Sequence, residues 1–169
     1  AKVRSSATFQ GVLTATKPNE LWLLDCLERA KNYNQLRSVY NSNMILVVVD
    51  VFSKFTMVYP LSSNKSTEVV HAFISFISMI GPPEKVLSDN GTIFHGHQLK
   101  QFYKENNIIQ LNSAPVNPKA RSMVERAIRT LREDYRAVNE LCNQDLIKII
   151  AEIVYIKNRL PHFYEFSAY

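Results

Sequence analysis

The sequence predicts a single α/β domain, a mixed five-stranded sheet with helices on both faces in the element order βββαβαβαα. Two observations carry that expectation. Up to Leu61 the chain holds three apolar, strand-like runs in succession, the last two separated by a short turn, which implies an antiparallel meander. From about Ser66 the hydrophobic period becomes helical, and strand and helix patterns then alternate.

Residues 1–19 show neither period and contain Gly11 and Pro18, so they read as an extended arm or linker, with the core domain over 20–169. Glu20 to Leu27 reads as a buried strand, and the polar stretch from Glu28 to Asn43 as a long surface loop. Met44 to Phe52 is a β-branched run too continuous for a sheet face open to water. Ser53 and Lys54 turn it into Phe55 to Leu61. Val69, Phe73, Phe76, Ile77 and Ile80 then recur at helical spacing until Gly81-Pro82-Pro83 stops the helix. Lys85 to Asp89 is a short strand closed by the turn pair Asn90-Gly91. A helix from about His97 to Glu105 turns Leu99, Phe102 and Tyr103 inward, and Ile108 to Leu111 returns to strand. After a Pro-containing loop come a long helix from about Arg121 to Leu141 and another from about Gln144 to Arg159.

At 169 residues and 46% hydrophobic, the chain can bury the core of one domain, which excludes bulk disorder. Twenty Lys and Arg against 15 Asp and Glu leave a charge of +5, which suits an anionic partner such as nucleic acid, although many basic domains bind none. The two cysteines, Cys26 and Cys142, lie far apart without C-x-x-C spacing, which argues against a disulfide framework or a structural zinc site. They read as buried, inert thiols in a reducing compartment. No apolar run approaches the roughly 20 residues that span a bilayer, and the first residues lack the apolar stretch of a signal peptide. A soluble, intracellular protein without membrane association is expected.

Three carboxylates stand at the edges of regular elements: Asp25 in the first strand, Asp89 at the end of the fourth and Glu125 early in the long helix. Rigid elements aim metal ligands better than loops do. Each residue also has a structural explanation alone, because Asp favours the turn before Asn-Gly and Glu favours the positive end of a helix. Spacing leaves Asp50 as an alternative to Asp25, since it too ends a strong strand; its structural role would be at the strand-to-turn junction. Between Asp89 and Glu125 lie 35 residues (125 − 89 − 1).

At these positions the chain resembles the retroviral and retrotransposon integrase core, known for its D, D-35-E motif, over roughly Gly11 to Asn158. The matching blocks are Trp22-Leu-Leu-Asp25-Cys, then Leu87-Ser-Asp89-Asn-Gly91-Thr-Ile-Phe94, then Ser113-Ala-Pro-Val-Asn-Pro118 leading to Val124-Glu125-Arg126. Asp50-Val-Phe-Ser-Lys54 is similar to gypsy-type and Polinton-type elements; Lys119 to Leu131 leans to the Polinton type and Ser88-Asp-Asn-Gly91 to gypsy. The resemblance implies a ribonuclease-H-like fold, in agreement with the element order. It selects Asp25 over Asp50, through Trp-x-x-Asp, and implies Asp25, Asp89 and Glu125 as catalytic metal ligands. Asp25 would bridge two Mg²⁺ ions, with Mn²⁺ as a substitute, while Asp89 and Glu125 each complete one site. Hard cations prefer carboxylate oxygen, and two of them about 3.5–4 Å apart favour in-line displacement at phosphorus. The implied nucleophile is water when an element DNA end is trimmed, and the resulting 3′-hydroxyl when that end is joined to target DNA.

On the long helix Val124, Ile128, Leu131, Tyr135 and Val138 make a buried stripe. One position on, Glu125, Arg129, Arg132 and Arg136 follow the same steps, so guanidiniums that can grip phosphates line up with the candidate catalytic Glu. The resemblance implies DNA contact for Arg129 and Arg132; Arg136 reads as solvated. Residues Ser113 to Ser122 correspond to the family's active-site loop but depart from it. Val116 replaces a common aromatic, Arg121 a Gln or Asn, and Ser122 a Gly, which predicts a stiffer backbone. Lys119 and Arg121 stand equally as phosphate contacts or solvated cations. His95 and His97, without cysteine partners, read as surface polar groups rather than metal ligands.

Neither the family's zinc-binding N-terminal domain nor its basic C-terminal barrel is recognisable, so the chain reads as an isolated core. The function expected is a metal-dependent DNA polynucleotidyl transferase, working as a dimer or larger homo-oligomer on element and target DNA, in the nucleus or a virion-like particle. The alternatives are a ribonuclease-H-type nuclease and a domesticated core that binds DNA or multimerises without catalysis. Candidate dimer surfaces are the helix ending near Asn106 and the final helix, with Ile147, Ile150, Val154 and Tyr155, although part of that apolar stripe must instead pack on the sheet.

Overall fold

The computed structural model describes residues 15–28, 44–89, 91–112, 122, 125, 126, 129–131, 133, 134, 137 and 146–160. Five strands form one sheet: β1 (Leu21–Glu28), β2 (Met44–Asp50), β3 (Thr56–Leu61), β4 (Lys85–Ser88) and β5 (Ile109–Asn112). Three helices are α1 (Ser66–Ile80), α2 (His97–Glu105) and α3 (Leu146–Lys157), with a 3-10 turn at Thr92–Phe94. The described positions between 122 and 137 are helical as well. The strand order is β3-β2-β1-β4-β5. Strands β1, β2 and β3 pair antiparallel, whereas β4 runs parallel to both β1 and β5, so the expected mixed sheet is observed.

Helices cover both faces, and the two-residue period of the strands sorts the cores. Leu21, Leu23 and Leu27 of β1 pack with Ile45, Val47 and Val49 of β2 against Leu131 and the α3 residues Ile149, Ile150, Ile153 and Val154. Trp22 and Leu24 point to the other face, with Leu46, Val48 and the residues of α1 and α2. There Phe73 contacts Trp22 at 5.7 Å and Tyr103 at 5.3 Å between ring centroids, so aromatic edges fill the space between helices and sheet.

Element ends follow local chemistry. Gly81 caps α1 at φ 82°, a left-handed conformation that costs an L side chain about 1–2 kcal/mol. Lys54 adopts φ 61° in the β2–β3 turn, held by its N–H on the Asp50 carbonyl and its Nζ on the Val51 carbonyl. Strand β1 extends to Glu28, one residue into the expected loop, because its pairing with β2 continues to Met44. Strand β5 starts at Ile109 rather than Ile108, since left-handed Asn107 delays entry into the ladder.

The expected dimer surface on the last helix requires correction. Ile150 and Val154 are buried against the sheet and Ile147 packs on the same core, so those three belong to the fold; Tyr155 is exposed. Just beyond α3, the Asn158 side chain takes both backbone polar groups of Thr56 on edge strand β3. Its Oδ1 accepts the Thr56 N–H at 2.9 Å, and its Nδ2 donates to the Thr56 carbonyl at 2.7 Å, as a neighbouring strand would.

Asn19 ties the start of the sheet together from φ 61°. Its N–H donates to Asp50, its Nδ2 to the Ile80 carbonyl, and its Oδ1 accepts the Trp22 indole N–H. Its carbonyl accepts the Glu84 N–H at 2.9 Å, next to the first β1–β4 pair. Asn19→Ala is expected to lower stability by about 2–4 kcal/mol, from an unpaired buried donor plus left-handed strain. Denaturant unfolding measures this, and Asn19→Gly should recover only the strain component.

Candidate active site

The last printed pair of the parallel β1–β4 ladder is Leu24 with Ser88. One residue further, Asp25 and Asp89 therefore leave neighbouring strands side by side, where strands lie about 4.8 Å apart. Both belong to one face: Asp25 alternates with Leu23 and Leu27, and Asp89 follows Leu87 at the same parity. That face is the one on which Leu131 packs, from the helical segment that carries Glu125. Asp25 is half-buried and Asp89 exposed, so the pair, on two inner strands of the sheet, is open to solvent at Asp89.

The Asp89 carboxylate is oriented locally. Its Oδ1 accepts the Gly91 N–H at 2.9 Å. A Cβ at residue 91 would lie 2.9 Å from the same oxygen and 3.5 Å from the Phe94 ring, so only glycine allows the backbone to approach this closely. Asp25 Oδ1 accepts the N–H of Cys26 at 2.7 Å. Two carboxylates on adjoining strands offer the hard oxygen donors that Mg²⁺ takes, one or two at a time, alongside water and phosphate. The donor set therefore fits a magnesium ion.

Glu125 is exposed on its helical segment, with Arg126 and Arg129 exposed beside it. Among the described residues no group of three His, Cys, Asp or Glu side chains stands close enough to hold a metal ion. By register the structure sets Asp25 beside Asp89, and Glu125 stands on the helical segment whose Leu131 packs on the same face. Arg126 Nε donates to the Ser122 carbonyl at 3.0 Å, along its own helical turn. Ser122 is helical, so no left-handed backbone is required of it. Arg132, Arg136, Lys119 and Arg121 lie outside the described residues, as do Val116, the loop over 113–121 and Cys142.

Asp50 differs from Asp25 in every respect that matters. It is 2% exposed, pairs with Trp22 three residues from Asp25, and by parity faces the opposite core. Its Oδ1 accepts the Asn19 N–H at 3.0 Å, and its Oδ2 accepts both the N–H and hydroxyl of Ser53 at 2.8 and 2.6 Å. This carboxylate shapes the strand-to-turn junction. Burial holds the neighbouring Lys54 ammonium below the ordinary lysine range; Asp50 opposes the shift and Arg126 reinforces it. Arg126 is not among the basic residues that the sequence singles out for DNA contact, and its positive charge is felt at Lys54. His95 is half-buried and His97 exposed, while Cys26 is half-buried against the aromatic core rather than fully enclosed.

Residues 15–118 match the integrase core domain family, a span that includes Asp25 and Asp89 and stops short of Glu125. The chain is 30% identical over 129 residues to the Gag-Pro-Pol polyprotein of squirrel monkey retrovirus, covering 76% of this chain and 6% of that polyprotein. It is 29% identical over 98 residues to the transposon Tf2-3 polyprotein of Schizosaccharomyces pombe, covering 57% of this chain and 7% of that protein. The chain thus spans a small part of the curated relatives it matches. In structure it is similar to the HTLV-2 integrase catalytic core domain in complex with magnesium, in its trimeric form. The TM-score is 0.70 at 23% identity, over 87% of this chain and 90% of that one. At that identity the likeness shows the fold, the ribonuclease-H-like sheet that the family resemblance implies and the element order agrees with. With more than half of its length matched by the family and its sheet built in the same way, the chain belongs to the integrase core domain family.

Proposed function

We propose that this chain is the catalytic core of a DNA polynucleotidyl transferase, which trims the 3′ ends of element DNA and joins them to target DNA. The observation that supports it most is the β1–β4 register, which sets Asp25 beside Asp89 on the face packed by the Glu125 segment. Asp25, Asp89 and Glu125 would hold two Mg²⁺ ions, or Mn²⁺ in their place. When bound, the metal activates the attacking oxygen and stabilises the leaving one.

The remaining work falls to the protein. Gly91 keeps one Asp89 oxygen turned to its N–H, fixing the carboxylate's direction before substrate arrives. Arg129, four residues from Glu125 and exposed like it, grips a backbone phosphate, and Arg132, Lys119 and Arg121 are further candidates for phosphate contact. Water, then the freed 3′-hydroxyl, attacks in line, so no covalent enzyme intermediate forms. Such a substrate places the reaction in the nucleus, or in a particle that carries element DNA there. A core that binds DNA or assembles without catalysis is the alternative; among the described residues no three His, Cys, Asp or Glu side chains are grouped to hold a metal ion.

Asp25→Asn, Asp89→Asn and Glu125→Gln are each expected to abolish Mg²⁺-dependent strand transfer in a gel assay while the thermal midpoint stays near wild type. Asp50→Asn should keep the activity but lose about 1–3 kcal/mol of stability, because an amide faces donors the carboxylate accepted. Activity retained in the triad variants would show those residues to be misassigned, whereas none in the parent chain with either metal would turn the reading to the non-catalytic core.

Arg129→Ala and Arg132→Ala should each weaken DNA binding and reduce the slope of log affinity against log salt by about one unit. Fluorescence anisotropy over a salt series checks this; unchanged slopes would return both residues to a solvated face.

Self-association as a dimer or larger assembly belongs to the same reading, since joining two DNA ends calls for paired active sites. The exposed apolar residues Ile74 and Met79 of α1 and Tyr155 and Ile156 of α3 are available for it. Sedimentation at micromolar concentration should show a dimer that dissociates on dilution, and a strictly monomeric species would oppose it.

A further inference from the structure

Gln110 lies on β5, opposite Val86 of β4 and well away in sequence from any acidic residue of the site. Its parity is that of buried Ile108, so it faces the aromatic core rather than the face that carries Asp25 and Asp89. From there Gln110 Nε2 donates to the Phe94 carbonyl at 2.9 Å. The Phe94 N–H donates in turn to the Gly91 carbonyl at 3.0 Å. The Gly91 N–H then donates to Asp89 Oδ1 at 2.9 Å. Three hydrogen bonds, joined by the backbone of residues 91 to 94, therefore connect a strand side chain to a candidate metal ligand.

The turn that transmits this chain is pinned on either side. The Phe94 ring is 2% exposed, in the core between sheet and helices. At the far end, Gly96 approaches Ser66 so closely that a Cβ at residue 96 would fall 1.9 Å from the serine hydroxyl. The peptide that carries the Phe94 carbonyl is held at one end by the His95 N–H on the Thr92 carbonyl at 3.1 Å and at the other by the Gln110 amide, which ties the turn to β5.

We propose that Gln110 is a positioning residue for Asp89, acting through the Phe94 and Gly91 peptides to hold the carboxylate in its metal-binding direction. The proposal rests on the reading of Asp89 as a metal ligand. Partners of this kind outside the ligand set affect metal affinity by about 10–100-fold. Gln110, acting at three bonds' remove, should fall at the lower end.

The test measures Mn²⁺ affinity of the whole chain without DNA, by paramagnetic resonance of free Mn²⁺, alongside the thermal midpoint in EDTA. Gln110→Met keeps length and removes the donor; it should weaken Mn²⁺ binding on the order of tenfold and shift the Gly91 amide resonance. Gln110→Lys restores a donor and should recover most of the affinity. Gln110→Glu, which keeps size and polarity without donating, carries the same test should the Met variant fail to fold. Unchanged Mn²⁺ affinity in the non-donating variants, with Asp89→Asn impaired, overturns the role of Gln110 alone. A Lys variant as weak as Met also overturns it. Full Mn²⁺ affinity in Asp89→Asn overturns the metal-ligand reading and this proposal together, so the two failures are distinguishable.

Discussion

The parallel pairing of β1 with β4 is the contact on which the molecule depends. It is only four residues long on each side, Leu21 to Leu24 against Lys85 to Ser88, and parallel ladders are slightly weaker per residue than antiparallel ones. A one-residue slip would turn every β4 side chain to the other face. It would move Leu87 from the aliphatic core toward the aromatic one and point Asp89 away from Asp25. The register is held from outside the ladder by the Asn19 carbonyl on Glu84 and by Glu20 on Lys85. The exposed ion pair of Lys17 with Glu84 adds little, since solvent screens it.

The two faces of the sheet divide the labour. On the α1–α2 side, Trp22, Phe73, Phe94 and Tyr103 form a core of large rings whose edge contacts fix orientation as well as volume. Burial there pushes the Tyr103 hydroxyl well above the ordinary tyrosine range, so it stays neutral. The 3-10 turn after Asp89 is anchored in this rigid half. On the other side the core is Leu, Ile and Val, and the aspartates emerge beyond it. A carboxylate on one face is thus oriented by a turn that the other face immobilises.

Much of this was legible in the sequence because it depends on local pattern. The β-branched run of β2, the helical spacing of Val69, Phe73 and Phe76 in α1 and the Gly81 stop are properties of neighbouring residues, and each appears where expected. The pairing of Asp25 and Asp89 was reached through motif resemblance, and the register supplies the physical reason those two strand ends meet. The loop over 113–121 and Arg132 lie outside the described residues, so expectations there rest on sequence.

By itself the sequence determined the α/β class, the element order and a short set of carboxylates capable of metal chemistry, since periodicity and residue type depend on neighbours along the chain. Tertiary structure decided how those residues are used. Asp25 and Asp50 look alike in sequence, yet Asp50 is enclosed by Asn19 and Ser53 while Asp25 is half-buried beside exposed Asp89. Ile150 and Tyr155 lie on one helix, yet only the first reaches the sheet. Gln110 carries no sequence signal at all, because its hydrogen bond to Phe94 spans 16 residues and exists only once β5 lies beside β4. Burial and long-range hydrogen bonding are relations between elements, and they acquire values only when the sheet has closed.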